Sequence, residues 1–495
     1  MRSGLTIGLD VGTGSAKAVV LDPGRDVLGR GSSETYPTTT PAPGRAEQDP
    51  LDWWRAAGEA VRKALAAAGL PGGSRDVTAI AVSGQGAALV LVDGGLAPVG
   101  PALIHLDQRS SAEASELAEG PAGQAILRAN GQRPGAWNVA AKLCWVRRNQ
   151  PERVRAARGL TSAAGFVLAQ LTGRLVQSAS DAGISDLFDL TSRDWASDVL
   201  AALDIDPAFL PEVAPATAEV GGLTAEAQRE LGLSGRVRVV AGGEDTSSAA
   251  LAAGVVGRDG TYLSLGSAGV VGVAVERGSV REPRLLTFPH VRDDVDLLSG
   301  SMTSAGSALS WWAEITGREP ADLLAEAEHT QPGAGGVVFL PYLAGELHPI
   351  ADPDARGVFT GLSFASGRAE LTRAIIEGSA TAIAHNLDVA VAAGARPGGL
   401  SATGGPTRSA VWMRAVAAAT NRVVEVVDTQ GAPLGDAMLA AGESDDEVAE
   451  LVAAHRRVQA RYEPDEREAE AARERRQQAT ELYHAVRALR TRRTE

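Results

Sequence analysis

Lysine is almost missing from this chain. Lys17, Lys63 and Lys142 are the only three among 47 basic residues, and arginine supplies the rest. Cysteine is rarer: Cys144 stands alone, which excludes an internal disulfide framework and fits a reducing compartment. Positive charge is also short. The 61 acidic residues leave a formal net charge of −14, so a nucleic-acid surface, which needs a basic face, is not expected. There is no apolar run of about eighteen residues, so no membrane span is expected. Met1–Gly4 leads into a strand-like segment with no charged-then-apolar leader, and the expected location is cytoplasmic. Metal and hydrolase signatures are absent. The seven histidines are scattered, and neither H-E-x-x-H, C-x-x-C nor G-x-S-x-G occurs. The Walker A loop and the Rossmann fingerprint are missing too.

What is present is a 495-residue chain, 44% hydrophobic and 22% charged. That composition is globular, and that length predicts two domains. Four strand–glycine-turn units punctuate it. "LTIGLDVGTGSAKAVVLD" places Asp10, Gly12, Thr13, Gly14, Ser15 and Lys17 at a hairpin tip. An acid, two glycines, two hydroxyls and a lysine suit a turn that handles phosphate, where backbone N–H groups and a cation offset negative charge. An acid capping the turn fits Asp10 equally well. "RVRVVAGGEDTSSAALAAG" runs from a buried strand through a glycine–acid turn into a helix. Asp245 there fits either a general base or a helix N-cap, with Glu244 read as a neighbour. "LSLGSAG" and "ATGGP" repeat the pattern in the second half, which points to a duplicated architecture with turns facing one cleft. "HLDQRS" carries Asp107 and Arg109 after a strand, suited to ligand hydroxyls or to an ion pair. The Trp53–Trp54 and Trp311–Trp312 pairs read as helix packing, and Asp49 or Asp52 as the cap of the first long helix.

In order, "GLDVGTGSAK", "SGQGAALVLVD", "LDQR", "AGGEDTSSAALAAG", "LSLGSAG", "TSAGSALSWW", "FLPYLAGE", "ATGGPTRS" and "PLGDAMLAAG" resemble the FGGY family of carbohydrate kinases, from about Leu5 to Gly442. One family signature is matched by Gly357-Val-Phe-Thr-Gly361-Leu362, Glu370-Leu371 and Ala374-Ile-Ile-Glu377. The other is matched in part, by Lys142, Leu143, Trp145 and Asn149, with Trp137 and Val139 departing from it.

The resemblance implies an α/β fold of two RNase-H-like (actin/hexokinase-type ATPase) domains around an interdomain cleft. It implies an N-terminal domain over 1–245, a nucleotide-side domain over 246–442 and a charged helical tail over 443–495. It implies ATP and Mg²⁺ as cofactors, a small-molecule sugar or polyol as partner and a homodimer. By the same resemblance Asp10 is the metal-linked acid and Asp245 the base. Thr13, Gly14, Ser15, Lys17, Gly266, Ser267, Gly306, Ser310, Gly405, Pro406 and Ser409 are nucleotide contacts. Gln85, Gly86, Ala87, His105, Asp107, Asp245 and Thr246 are sugar contacts.

The layout is similar to members acting on a ketopentose such as D-xylulose. Those members carry Met-His where Gly86-Ala87 stand and Trp-Asn where His105-Leu106 stand. Asparagine or glutamine is common at the position of Thr246. These departures fall in the sugar pocket, so another ketose, a polyol or a sugar acid is an alternative acceptor. A non-catalytic nucleotide-binding protein is a second alternative, against which retention of Asp10 and Asp245 argues.

Overall fold

The computed structural model describes residues 4–70, 72 and 76–491. Met1–Ser3, read above as the approach to the first strand, lie outside the described residues, as does the end of the tail from 492.

Two mixed sheets share one topology. In the first, of six strands, five lie in the order Val27–Ser32, Ala16–Leu21, Leu5–Val11, Val77–Gly84 and Arg238–Val240, with Glu219–Gly222 beyond the last. Of these five, the first three are antiparallel, and the last two continue parallel to Leu5–Val11. In the second sheet, of seven strands, the central five lie in the order Val295–Met302, Gly269–Glu276, Thr261–Leu265, Leu400–Thr403 and Val424–Asp428, with the same pattern of directions, and Leu286–Pro289 and Arg457–Tyr462 form its edges. This is the RNase-H-like sheet that the resemblance implied, built twice, as the paired hairpins implied. Leu5–Val11 is buried from Thr6 onward, as a central strand covered on both faces must be, which explains its nearly continuous apolar run.

The helix Pro50–Ala67 is capped by Asp49, whose carboxylate accepts from Leu51 N at 2.9 Å. Its buried face, including Trp53, Ala57, Ala60, Val61 and Ala64, packs on the first sheet. The opposite face of that sheet is covered from far along the chain. Leu434, Ala437, Met438 and Leu439 of the helix Ala432–Ala441 pack with Val19, Leu21, Ala79, Ala81 and Val240. Thr6 Oγ1 donates to Ala437 O at 2.8 Å across this seam. Chain order and spatial layers therefore part company here, because a helix of the second half belongs to the layers of the first.

The segment expected as a helical tail contains a strand. Arg457–Tyr462 pairs antiparallel with Val424–Asp428 at the edge of the second sheet, between the helices Asp445–His455 and Glu466–Thr491. The stretch 181–209, polar and irregular in sequence, contributes to the core. Leu187, Phe188 and Leu190 are fully buried in it, and Ile184 packs with Phe288 and Leu297 of the second sheet.

Candidate active site

The first hairpin register places Asp10 opposite Lys17 across the glycine turn. Asp10 is buried and accepts from Ser83 Oγ at 3.2 Å. Burial, and then the charge of Asp245, push its carboxyl up to about 7, against the opposing pull of Lys17. Asp10 and Asp245, far apart in sequence, are thus within electrostatic reach.

Asp245 owes its place to a turn that only glycine serves. Gly242 sits at φ +70°, and a Cβ on it would lie 2.0 Å from Val82 O. The chain therefore passes tight against the neighbouring strand and then opens the helix Asp245–Ala252. The two readings of Asp245 separate here. Glu244, not Asp245, is the N-cap, its carboxylate accepting from Ser247 N at 3.0 Å. Asp245 is left half-buried, and its Oδ1 accepts from the Thr246 hydroxyl at 3.0 Å.

Three further buried acids surround this pair. Asp436, in the helix Ala432–Ala441, accepts from Ser248 Oγ at 2.7 Å, and burial with the charges of Asp10 and Asp245 raises it well above the carboxylate range. Glu244 is raised by burial and by Asp245. Asp181 is pushed up to about 7, chiefly by burial, with Asp245 adding to it. Among the described residues no three or more acids, histidines or cysteines are arranged to hold a metal ion by themselves. The concentrated acid charge fits a Mg²⁺ ion held by one or two carboxylates together with phosphate oxygens and water, as that ion prefers.

On the sugar side, Gln85 is 1% exposed and its Oε1 has no protein partner, an acceptor a bound hydroxyl would satisfy. Gly86 lies against Ile184 and Glu244, since a Cβ on it would stand 3.2 Å and 3.5 Å from them. Ala87 adopts φ +55°, and its carbonyl accepts from Lys142 Nζ at 2.8 Å. Lys142 is fully buried, and burial lowers its ammonium to about 7 despite Asp107 and Asp186. His105 is lowered by burial, with the charge of Asp245 opposing, so it too lies near Asp245.

Asp107 is not placed to meet a sugar. It is fully buried, and both oxygens are engaged. Arg109 Nη2 donates to Oδ2 at 2.7 Å, Arg109 Nε to Oδ1 at 2.8 Å, and Ala46 N to Oδ2 at 2.6 Å. The ion-pair alternative is therefore the one that forms, as the inner half of a buried clamp and not at the surface.

The nucleotide-side residues converge in part. Gly266, Ser267, Gly306, Ser310, Gly405, Pro406 and Ser409 line one cavity of about 870 Å³, with Leu324, Ala325 and Trp412 in its walls. That volume lies within the range of about 300–1,000 Å³ usual for small-molecule sites. Gly404 shapes it: φ is +103°, and a Cβ would stand 1.9 Å from Leu265 O. Gly306 N donates to Gly266 O at 2.9 Å, fastening the second glycine turn to the start of the helix Gly306–Thr316. Thr13, Gly14, Ser15 and Lys17 lie outside that lining, on the first turn beside Asp10.

Residues 5–252 match the N-terminal domain of the FGGY family of carbohydrate kinases, and residues 261–443 match its C-terminal domain. The chain belongs to this family. The kinase is 33% identical to the xylulose kinase of Escherichia coli over 415 residues, 83% of this chain and 84% of that protein. It is 32% identical to the xylulose kinase of Klebsiella pneumoniae over the same shares. Among solved structures it superposes on a xyloylose kinase from Brucella ovis with a TM-score of 0.91 and 30% identity, covering 98% of this chain and 100% of that one. The xylulose kinase of Rhodospirillum rubrum gives 0.88 and 31%, covering 98% and 99%.

Sequence reasoning missed Asp181 and Asp436 and took Glu244 for a bystander. A signal existed for Asp436: it is the one acid in the otherwise apolar, wholly buried helix Ala432–Ala441. Such an acid is retained only where something offsets its desolvation.

Proposed function

We propose that this sugar kinase transfers the γ-phosphoryl group of Mg²⁺-ATP to a hydroxyl of D-xylulose, with Asp245 as general base. The observation that carries the chemistry is Asp245 itself: a carboxylate at a turn, free of capping duty, beside the buried Asp10. The substrate reading is supported by the relatives named xylulose kinases.

In this reading the Asp245 carboxylate takes the proton of the acceptor hydroxyl as that oxygen attacks phosphorus, and ADP leaves. The Thr246 hydroxyl holds the carboxylate by its Oδ1. Gln85 Oε1 accepts from a second sugar hydroxyl, and the cavity beside Gly405–Ser409 holds the adenosine end. Mg²⁺, when bound near Asp10, neutralises phosphate charge. Transfer of this kind depends mainly on position and on charge stabilisation.

The electrostatics favour a neutral acceptor. A sugar acid would bring a carboxylate toward Asp245, whose charge already raises Asp10, Asp181, Glu244 and Asp436. A second reading, another neutral ketose or a polyol, is supported by the small Gly86 and Ala87.

Coupled ADP formation across D-xylulose, other ketoses, alditols and aldonates tests the proposal. D-xylulose is expected to give the highest kcat/KM and aldonates none above background. Preference for an aldonate contradicts the electrostatic argument, and preference for another neutral polyol replaces xylulose.

A further inference from the structure

We infer that Gln48 is a positioning residue that locks the sugar-side Gln85 to the first phosphate turn. It occupies the two-residue strand Glu47–Gln48, which pairs with Ala102–Leu103 just before His105. Gln48 is 2% exposed, and its amide makes four hydrogen bonds. Oε1 accepts from Trp53 Nε1 at 2.9 Å and from Gln85 Nε2 at 2.8 Å. Nε2 donates to Thr13 O at 2.7 Å and to Thr38 Oγ1 at 2.8 Å.

The chemistry of the partners leaves this amide one orientation. An indole N–H only donates, and a backbone carbonyl only accepts, so the oxygen must face Trp53 and the nitrogen must face Thr13. The constraint is passed on. Gln85 can meet Gln48 Oε1 only with its own nitrogen, which leaves Gln85 Oε1 as the buried unpaired acceptor of the sugar site. A single amide therefore fixes two things together: the polarity that Gln85 presents to the acceptor and the position of the Thr13 carbonyl in the phosphate turn. The adjoining residues strengthen the tie. Glu47 pairs with Arg109 at 2.8 Å, and Ala46 N donates to Asp107, which anchors the same segment to the stretch carrying His105.

The sugar half of this inference rests on the proposed acceptor, so the test has one arm that does not. Gln48→Glu keeps an acceptor for Trp53 and Gln85 but removes the donor to Thr13 O. Thr38→Val removes only the other anchor. For each variant, the D-xylulose Kd is measured calorimetrically with and without a non-hydrolysable Mg²⁺-ATP analogue. Amide hydrogen exchange at Gly12–Ser15 is followed with no ligand present.

The wild-type protein is expected to bind xylulose several-fold more tightly when the nucleotide is bound. In Gln48→Glu that ratio falls to within twofold of one, and exchange at Gly12–Ser15 speeds up about tenfold. Thr38→Val keeps both properties. If Gln48→Glu does not fold, Gln48→Met, uncharged and of similar length, is read in the same way. A wild-type ratio and exchange rate in the Gln48 variants overturns the inference, as does an equal loss in Thr38→Val, which would make the contact ordinary packing. If the wild type binds no xylulose, the acceptor assignment fails, and the exchange arm alone decides the role of Gln48.

Discussion

A carboxyl can be read for what it faces, and Glu346 shows how far this goes beyond sequence. It lies in "LPYLAGE" and is buried. Its Oε1 accepts from Thr303 N at 3.0 Å and Leu347 N at 2.8 Å, while Oε2 has no protein partner. Burial pushes it from 4.5 up to about 7, against those two bonds. An acid whose folded value lies above its unfolded one keeps a proton that the unfolded chain has already released. Its contribution to stability therefore falls as pH rises from about 4.5 to about 7. Glu346→Gln keeps the accepting Oε1 and removes the ionisation. Relative to wild type, the variant is expected to gain roughly 2 kcal/mol between pH 5 and pH 8, read from urea unfolding at both values. A parallel pH dependence in the two proteins would contradict this assignment. The residue scale is also where sequence reading was least complete. Asp10 and Asp245 stood out because glycine turns flank them, whereas Asp181 and Asp436 matter through neighbours that only folding supplies. For Asp107 the ion-pair alternative is the one that forms, with Arg109, but its burial and its bond from Ala46 N come from the fold.

At the scale of elements, the two hairpins, the strand-to-helix turn at Asp245 and the cap at Asp49 were legible, because each has a local cause. The strand Arg457–Tyr462 was not. Its sequence RVQARY alternates weakly and carries charge, as an edge strand does, and its partner lies at Val424–Asp428. The helix that follows it carries its own test. Arg475 is buried there, donating to Val337 O at 2.7 Å and to Gly333 O, and pairing with Glu377 of the helix Arg368–Ala392 at 3.2 Å. Glu377 belongs to the family signature, but its use as an anchor for the C-terminal helix appears only in the fold. Arg475→Ala strands two carbonyls and one side of Glu377, which keeps Arg373 at 2.7 Å. The expected loss is about 3–5 kcal/mol, measured by denaturant unfolding, with KM for both substrates changed less than twofold. An unchanged unfolding midpoint would show that the helix is not held by this residue.

At the scale of the whole molecule, one topology is built twice, and Ala432–Ala441 from the second half closes over the first sheet. That crossing brings Asp436 to Asp10 and Asp245, so the acid cluster is a product of tertiary arrangement and not of any one motif. The duplication itself was visible as two similar hairpins, since alternating apolar runs and glycine turns leave a mark in sequence. The helix Ala432–Ala441 left a mark too, in PLGDAMLAAG and its single acid, but its crossing to the first sheet left none. The central claim is that this arrangement makes Asp245 the base of a sugar kinase. Because Glu244 provides the helix cap, Asp245→Asn should fold as the wild type does. The measurement is steady-state and single-turnover phosphorylation of D-xylulose by this variant, beside calorimetric binding of a non-hydrolysable Mg²⁺-ATP analogue. The account predicts a loss of roughly 10²–10⁴-fold in turnover with nucleotide affinity within about threefold of wild type. Turnover within tenfold of wild type, at full nucleotide binding, would remove Asp245 from the chemistry and contradict the account.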